Sequence, residues 1–156
     1  MTKLEKILVG ISIIAVVLSI LFGSLYFNQK DRYKNLFSAA AVNEEFITKF
    51  FNYNETSERY TNVKELMSKV GYQQLFPSGI SMPTSKIQSN TADLTIFENP
   101  SSSEKPEFIS RFNVKTTFQG VSSNEDMVLK TRLKSSGDTW VVDDVEILAD
   151  VPADEE

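Results

Sequence analysis

The chain has 156 residues, with 16 Lys and Arg against 21 Asp and Glu, 41% hydrophobic residues, and neither His nor Cys. Those two absences exclude imidazole and thiolate metal sites, His- or Cys-based catalytic triads and any disulfide framework. Charge is uneven: residues 1–34 carry five cations and two acids, residues 35–156 eleven and nineteen, so the larger part is acidic and nucleic acid is not its expected ligand.

Residues 7–27 contain no charge, and a stretch of that length matches the roughly 20 residues a helix needs to cross a bilayer. Gly10, Ser12, Ser19, Gly23 and Ser24 are tolerable interruptions because a spanning helix keeps its backbone bonds internal, and Tyr26 and Phe27 suit an interface. The run exceeds the 7 to 15 residues of a secretory apolar region and is followed by Asn28-Gln29-Lys30-Asp31-Arg32, not by a small-residue cleavage site. A retained signal anchor is therefore expected, with the bilayer as partner of residues 7–27. Lys3 and Lys6 on one side balance Lys30, Arg32 and Lys34 on the other, so charge does not orient it. The short N-terminal flank and the domain-sized remainder favour a single-pass protein of the cell membrane whose body is extracytoplasmic. The expected divisions are 1–34 for flank, anchor and collar, 35–149 for one α+β domain, and 150–156 for a frayed acidic tail.

Within the domain, Ala39, Val42, Phe46, Phe50 and Tyr53 recur at three- and four-residue steps beside Ile47 and Phe51, predicting an amphipathic helix with a wide aromatic stripe. The pattern breaks over residues 52–56. A second helix is expected from near Thr61, with Val63, Leu66, Met67 and Val70 on one face and Gly71 as its stop, then a helical turn over 72–76. Residues 77–90 read as loop, and the period then switches to two. A short strand over 93–97 and a loop over 99–106 precede a strand with Phe108, Phe112, Val114 and Phe118 on one parity and Arg111, Asn113 and Lys115 on the other. A turn over 120–125 leads to a third strand, in which Met127, Leu129 and Leu133 alternate with Lys130, Arg132 and Lys134; a fourth covers 139–148. If Ser136-Gly137 is the hairpin loop, Leu133 faces Trp140 and a β-bulge at Asp143-Asp144 is needed to bring Leu129 opposite Val145 and Met127 opposite Ile147. Trp140 belongs to the expected core.

The layout of anchor, long helix, short helices and four antiparallel strands closing on Gly137-Asp138-Thr139-Trp140-Val141-Val142 resembles the nuclear transport factor 2-like fold, a cone of N-terminal helices packed on a curved sheet. Phe46-Ile47-Thr48-Lys49-Phe50-Phe51-Asn52-Tyr53-Asn54, then Arg59-Tyr60 and Lys69-Val70-Gly71-Tyr72-Gln73-Gln74-Leu75-Phe76-Pro77, are similar to single-pass conjugation proteins of Gram-positive bacteria. That resemblance implies an inner component of a type IV secretion channel, with no catalytic residue and no cofactor, partnered by other subunits of the complex or by further copies of itself.

Carboxylates could still act as acid and base in such a cone, and Asp93 or Asp143 with Tyr53 or Tyr72 are the candidates, although surface carboxylates and core tyrosines are the plainer reading. Asn54-Glu55-Thr56 matches a glycosylation acceptor, a short pattern that arises often by chance. If the second and third strands pair, Arg111, Lys115, Lys130, Arg132 and Lys134 gather on one sheet face of an acidic domain, a candidate docking surface for a partner. The plain alternative is that Asp143, Asp144 and Glu146 neutralise it as cross-strand pairs. The expected function is non-enzymatic assembly; the alternative is a concave sheet that binds a small or peptide ligand. Tight packing of Phe108, Phe112, Phe118 and Trp140 on the helix stripe would disfavour the second.

Overall fold

The computed structural model describes residues 3–77, 81, 84–99 and 105–152, and the side chains of these apart from 3–15, 28–29, 31–33 and 150–152. Two compact units emerge, Met1–Asn35 and Leu36–Glu156. Helix α1 spans Lys3–Phe51. Among the described side chains no helix is long and apolar enough to cross a membrane, and residues 7–15 of the uncharged run lie outside them.

The second unit orders its elements as the last turns of α1, α2 (Glu58–Thr61), a 3-10 turn (Lys64–Leu66), α3 (Lys69–Leu75) and strands β1 (Gln88–Asn99), β2 (Glu107–Phe118), β3 (Val121–Ser136) and β4 (Thr139–Pro152). The strands form one antiparallel sheet in sequence order. Helices at the N-terminal end and a meander after them make the unit α+β.

The aromatic stripe packs as its spacing requires. Phe46, Ile47, Phe50 and Phe51 are buried with Val63 and Met67 against Phe108, Phe112, Val114, Met127, Leu129, Leu133 and Val142. Phe51 meets Phe112 edge-on with ring centroids 4.9 Å apart, and Phe46 stacks on Phe50 at 5.4 Å. Such pairs add about 0.5 to 1.5 kcal/mol beyond their area. The helix ends where Asn52 turns its side chain outward: Oδ1 accepts bonds from Thr91 N at 2.6 Å and Thr91 Oγ1 at 3.0 Å. Tyr53 therefore lies past the helix, paired with Ser89 of β1, and not in the stripe.

The single second helix expected from Thr61 to Gly71 is instead three short pieces. Ser68 caps α3, its hydroxyl accepting from Gly71 N at 3.0 Å, so Gly71 lies inside that helix and is not its stop. A Cβ on Gly71 would come within 2.6 Å of the Asp143 carbonyl oxygen. Glycine is required there because the helix backbone touches β4, not because the helix ends. Val70 points outward.

The sheet is longer than the alternation suggests, with β1 beginning at Gln88 inside the expected loop and β3 at Val121 inside the expected turn. Gln119 and Gly120 both have positive φ, 51° and 82°, as a two-residue hairpin turn of the right twist requires. Gly137 has φ 62° and shares the other hairpin loop with Asp138, which sets Leu133 opposite Val142 and Trp140 opposite Ser135. The Leu133 to Trp140 pairing is thus two residues off, and Trp140 only half-buries itself against the core. The bulge does fall at Asp143, between the Leu133–Val142 and Arg132–Asp144 pairs; Leu129 then faces Ile147, and a second irregularity follows before Val128–Ala149. β1 carries its own bulge at residues 93–94, with Asp93 at φ 55°. Irregularities on both outer strands bend the sheet around the helix. Phe118 is 47% exposed, because it lies six residues, about 20 Å, beyond Phe112 and outruns the helix end that covers β2. β4 extends through Pro152, so the expected tail is shorter; residues 153–156, like 78–80, 82–83 and 100–104 of the expected loops, lie outside the described residues.

Candidate functional site

One face of the sheet is the core, and the register fixes what lies on the other. β2 and β3 set Ile109 opposite Lys130, Glu107 opposite Arg132 and Lys115 opposite Asn124, while β3 and β4 set Lys130 opposite Glu146 and Arg132 opposite Asp144. The five cations singled out from the sequence do share this outer face, but an acid meets four of them. Lys130 pairs with Glu146, and Arg132 binds Asp144 through both Nε, at 2.9 Å, and a terminal nitrogen. Lys134 Nζ lies 2.6 Å from Asp143 Oδ1, and Arg111 lies 3.4 Å from Asp126. Lys115 sits apart, on a shallow depression it shares with Asn90, Ala92, Asn113 and Asn124, above the β1 bulge. The result is a mosaic of alternating sign, not a cationic stripe.

The electrostatics follow. Hydrogen bonding to Asp144 raises the Arg132 pKa, and hydrogen bonds from Lys134 and then Ser68 hold the Asp143 carboxyl below its usual value. Exposed pairs of this kind stabilise by about 0 to 1 kcal/mol each. Asp143 is also tied inward, because Ser68 Oγ donates to its Oδ1 at 2.5 Å. Kept ionised and engaged on both sides, it is a poor proton donor. Among the described residues no hydrogen bond joins Asp93 or Asp143 to Tyr53 or Tyr72; Asp93 instead accepts from Asn113 Nδ2 at 3.2 Å on the exposed bulge. The acid-base pairing considered from the sequence is not assembled.

The cone interior, where a ligand would enter, is occupied. Phe46, Phe108, Phe112 and Leu129 are at most 1% exposed, and Asn43 stands among them. Its Nδ2 donates to Ser110 Oγ at 3.2 Å and its Oδ1 accepts from Thr131 Oγ1 at 2.5 Å. This buried triad links α1 to β2 and β3 with its side chains satisfied by one another. Asn43 lies one helical turn before Ile47 in the apolar stripe, and that break was the available sequence signal for it.

Two further features escaped the sequence reading. Arg59 stacks its guanidinium 4.0 Å over the Phe50 ring and 5.1 Å from that of Phe51, with Nε buried and unbonded. Desolvation lowers its pKa while Tyr53 and Tyr60 oppose the shift. A groove of about 580 Å³ runs between the 3-10 turn and α3, lined by Lys64, Met67, Lys69, Tyr72, Gln73 and Phe76 with Ser68 at its base.

Comparison with known proteins bears on the fold that holds these surfaces. The family model described as the YddI NTF2-like domain matches residues 34–149. The chain is also 31% identical over 111 residues to a protein of Bacillus subtilis (strain 168) named "Uncharacterized protein YddI", the match covering 70% of this chain and 66% of that one. A helix-capped, four-stranded antiparallel sheet with this register and a match over most of the chain lead to one conclusion: the chain belongs to the YddI NTF2-like domain family.

Proposed function

We infer that this protein is a non-enzymatic assembly component of a membrane-embedded secretion or conjugative transfer complex. Residues 7–27 anchor it, and its α+β domain works outside the membrane through protein contacts. The observation that carries the reading is the filled cone: with Phe46, Phe108, Phe112 and Leu129 closing the interior and Asn43, Ser110 and Thr131 satisfying one another, the domain offers its exterior. The outer sheet face suits docking because its paired charges fix a pattern of signs that a partner must match. Of the four residues that weigh against the ligand-binding alternative, Phe108 and Phe112 pack tightly while Phe118 is 47% exposed and Trp140 half-buried, so that alternative is disfavoured at the centre of the cone and not at its edges.

The test has two arms in the native host. Protease added outside cells whose envelope admits it should remove the domain and leave a membrane-held N-terminal fragment. Reversal of Lys130, Arg132 and Lys134 to Glu should leave a folded domain yet lower complex formation or transfer at least tenfold. Full protection of the domain overturns the orientation, and normal assembly by a folded triple variant removes the outer face as the docking surface.

A further inference from the structure

The groove beside α3 has a composition that the fold does not use up. Its floor is apolar: Met67 is buried, and the Tyr72 and Phe76 rings lie with centroids 6.4 Å apart. Its rim is cationic, since Lys64 and Lys69 stand exposed at the starts of the 3-10 turn and α3. Neither lysine forms an ion pair with a described residue, whereas Lys49, Arg111, Lys130, Arg132 and Lys134 all do. Asp143, which the groove residue Ser68 reaches, is already held by Ser68 and Lys134, and Glu65 beside Lys64 forms no ion pair with it. The α3 terminus is also spoken for, because Ser68 caps it, so the lysines alone supply the charge.

The geometry points to this groove as the docking site for an acidic segment of a partner protein, one that lays an apolar side chain on Tyr72 and Phe76 between carboxylates that meet Lys64 and Lys69. The assignment rests on the assembly reading above and gives it a contact. Two other occupants fit less well. A lipid surface is recognised by clusters of about four to eight basic residues, and this rim has two. A second copy brings a domain with nineteen acids against eleven cations, so self-association works against net charge. Two unpaired cations over an aromatic floor within that acidic surface select instead for a local acidic motif, whose encounter is steered by charge and weakened by salt.

The experiment uses the full chain in its host membrane, with Gln73, which is exposed in the groove, replaced by a benzophenone-bearing amino acid. Ser123, exposed on β3 at the parity opposite to the outer face, carries the same probe as a control. Irradiation should give a product from position 73 and not from 123, mapped by mass spectrometry to an acid-rich segment of another protein. Lys64→Glu with Lys69→Glu should reduce that product at least tenfold, and Lys64→Gln with Lys69→Gln should reduce it less. Since both side chains are exposed, the Gln pair also guards against a folding defect, checked by an unchanged thermal melt. No product, or one with lipid, with a second copy or with a segment poor in acids, overturns the groove assignment, as does a product indifferent to both variants. If the acidic segment belongs to a protein outside any membrane complex, the groove stands and the assembly reading fails.

Discussion

The two faces of β2 and β3 are built from alternating residues of the same strands and differ in what holds them. On the inner face Phe108, Phe112, Met127 and Leu129 have lost nearly all contact with solvent, and the energy is that of apolar burial, about 1.5 to 3 kcal/mol per large side chain. On the outer face Arg111, Lys130, Arg132 and Lys134 each hold an acid at the surface, where a pair stabilises by less than about 1 kcal/mol. Stability belongs to the inner face, and the outer face is the one proposed for recognition. Substitutions on the two faces should therefore separate by severalfold in stability.

The largest effect is expected from Phe112→Ala. Its ring meets Phe51 at 4.9 Å in the centre of the core, and deletion should destabilise the 36–156 unit by about 3 to 5 kcal/mol in a denaturant titration. A loss below about 1 kcal/mol would mean that α1 does not lie on β2. Asn43→Leu tests whether the polar triad belongs with the core. The substitution leaves Ser110 Oγ and Thr131 Oγ1 buried without their Asn43 partner, which should cost about 1 to 3 kcal/mol even though the new side chain is apolar. An unchanged midpoint would show that the triad contributes no net stability.

Much of the inner face was legible because period carries it: the three- and four-residue steps of Phe46 and Phe50 and the two-residue steps of Phe108, Phe112 and Val114 each name a buried side. The need for a bulge at Asp143 was legible for the same reason, since apolar residues must stay on one face. What period cannot supply is register, which the positive φ of Gly137 sets and which moved Trp140 to a half-buried place beside Ser135. Gly71 misled because a glycine that ends a helix and one that lets a helix touch a strand look alike in sequence; only the nearby Asp143 carbonyl distinguishes them. The cationic stripe and its neutralisation by Asp143, Asp144 and Glu146 were both legible, whereas the pairing of Arg111 with Asp126 was not, because it depends on the β2–β3 register. The groove at Lys64 and Lys69 went unread because it exists only once the expected second helix breaks into three pieces.

The smallest effect tests the one residue that belongs to both faces. Asp143 is the bulged residue of β4, so its carboxylate reaches Lys134 on the outer side and the Ser68 hydroxyl that caps α3 on the inner. Because those two bonds hold its pKa below the ordinary value in the folded state, the unfolded chain binds the proton more readily. The stability that Asp143 contributes is thus complete above its unfolded pKa, about 4, and is lost as pH falls from there through the lower folded value. Asp143→Asn should lower stability at pH 7 by no more than about 1 kcal/mol, as expected for an exposed pair, and should flatten the acid limb of the stability profile below about pH 4 relative to the parent. Added salt at pH 7 should narrow the difference between the two, since the Lys134 contact is screened while the Ser68 bond is not. If the acid limbs superimpose, the carboxylate is not held by its neighbours, and the bulge joins the two faces through backbone alone.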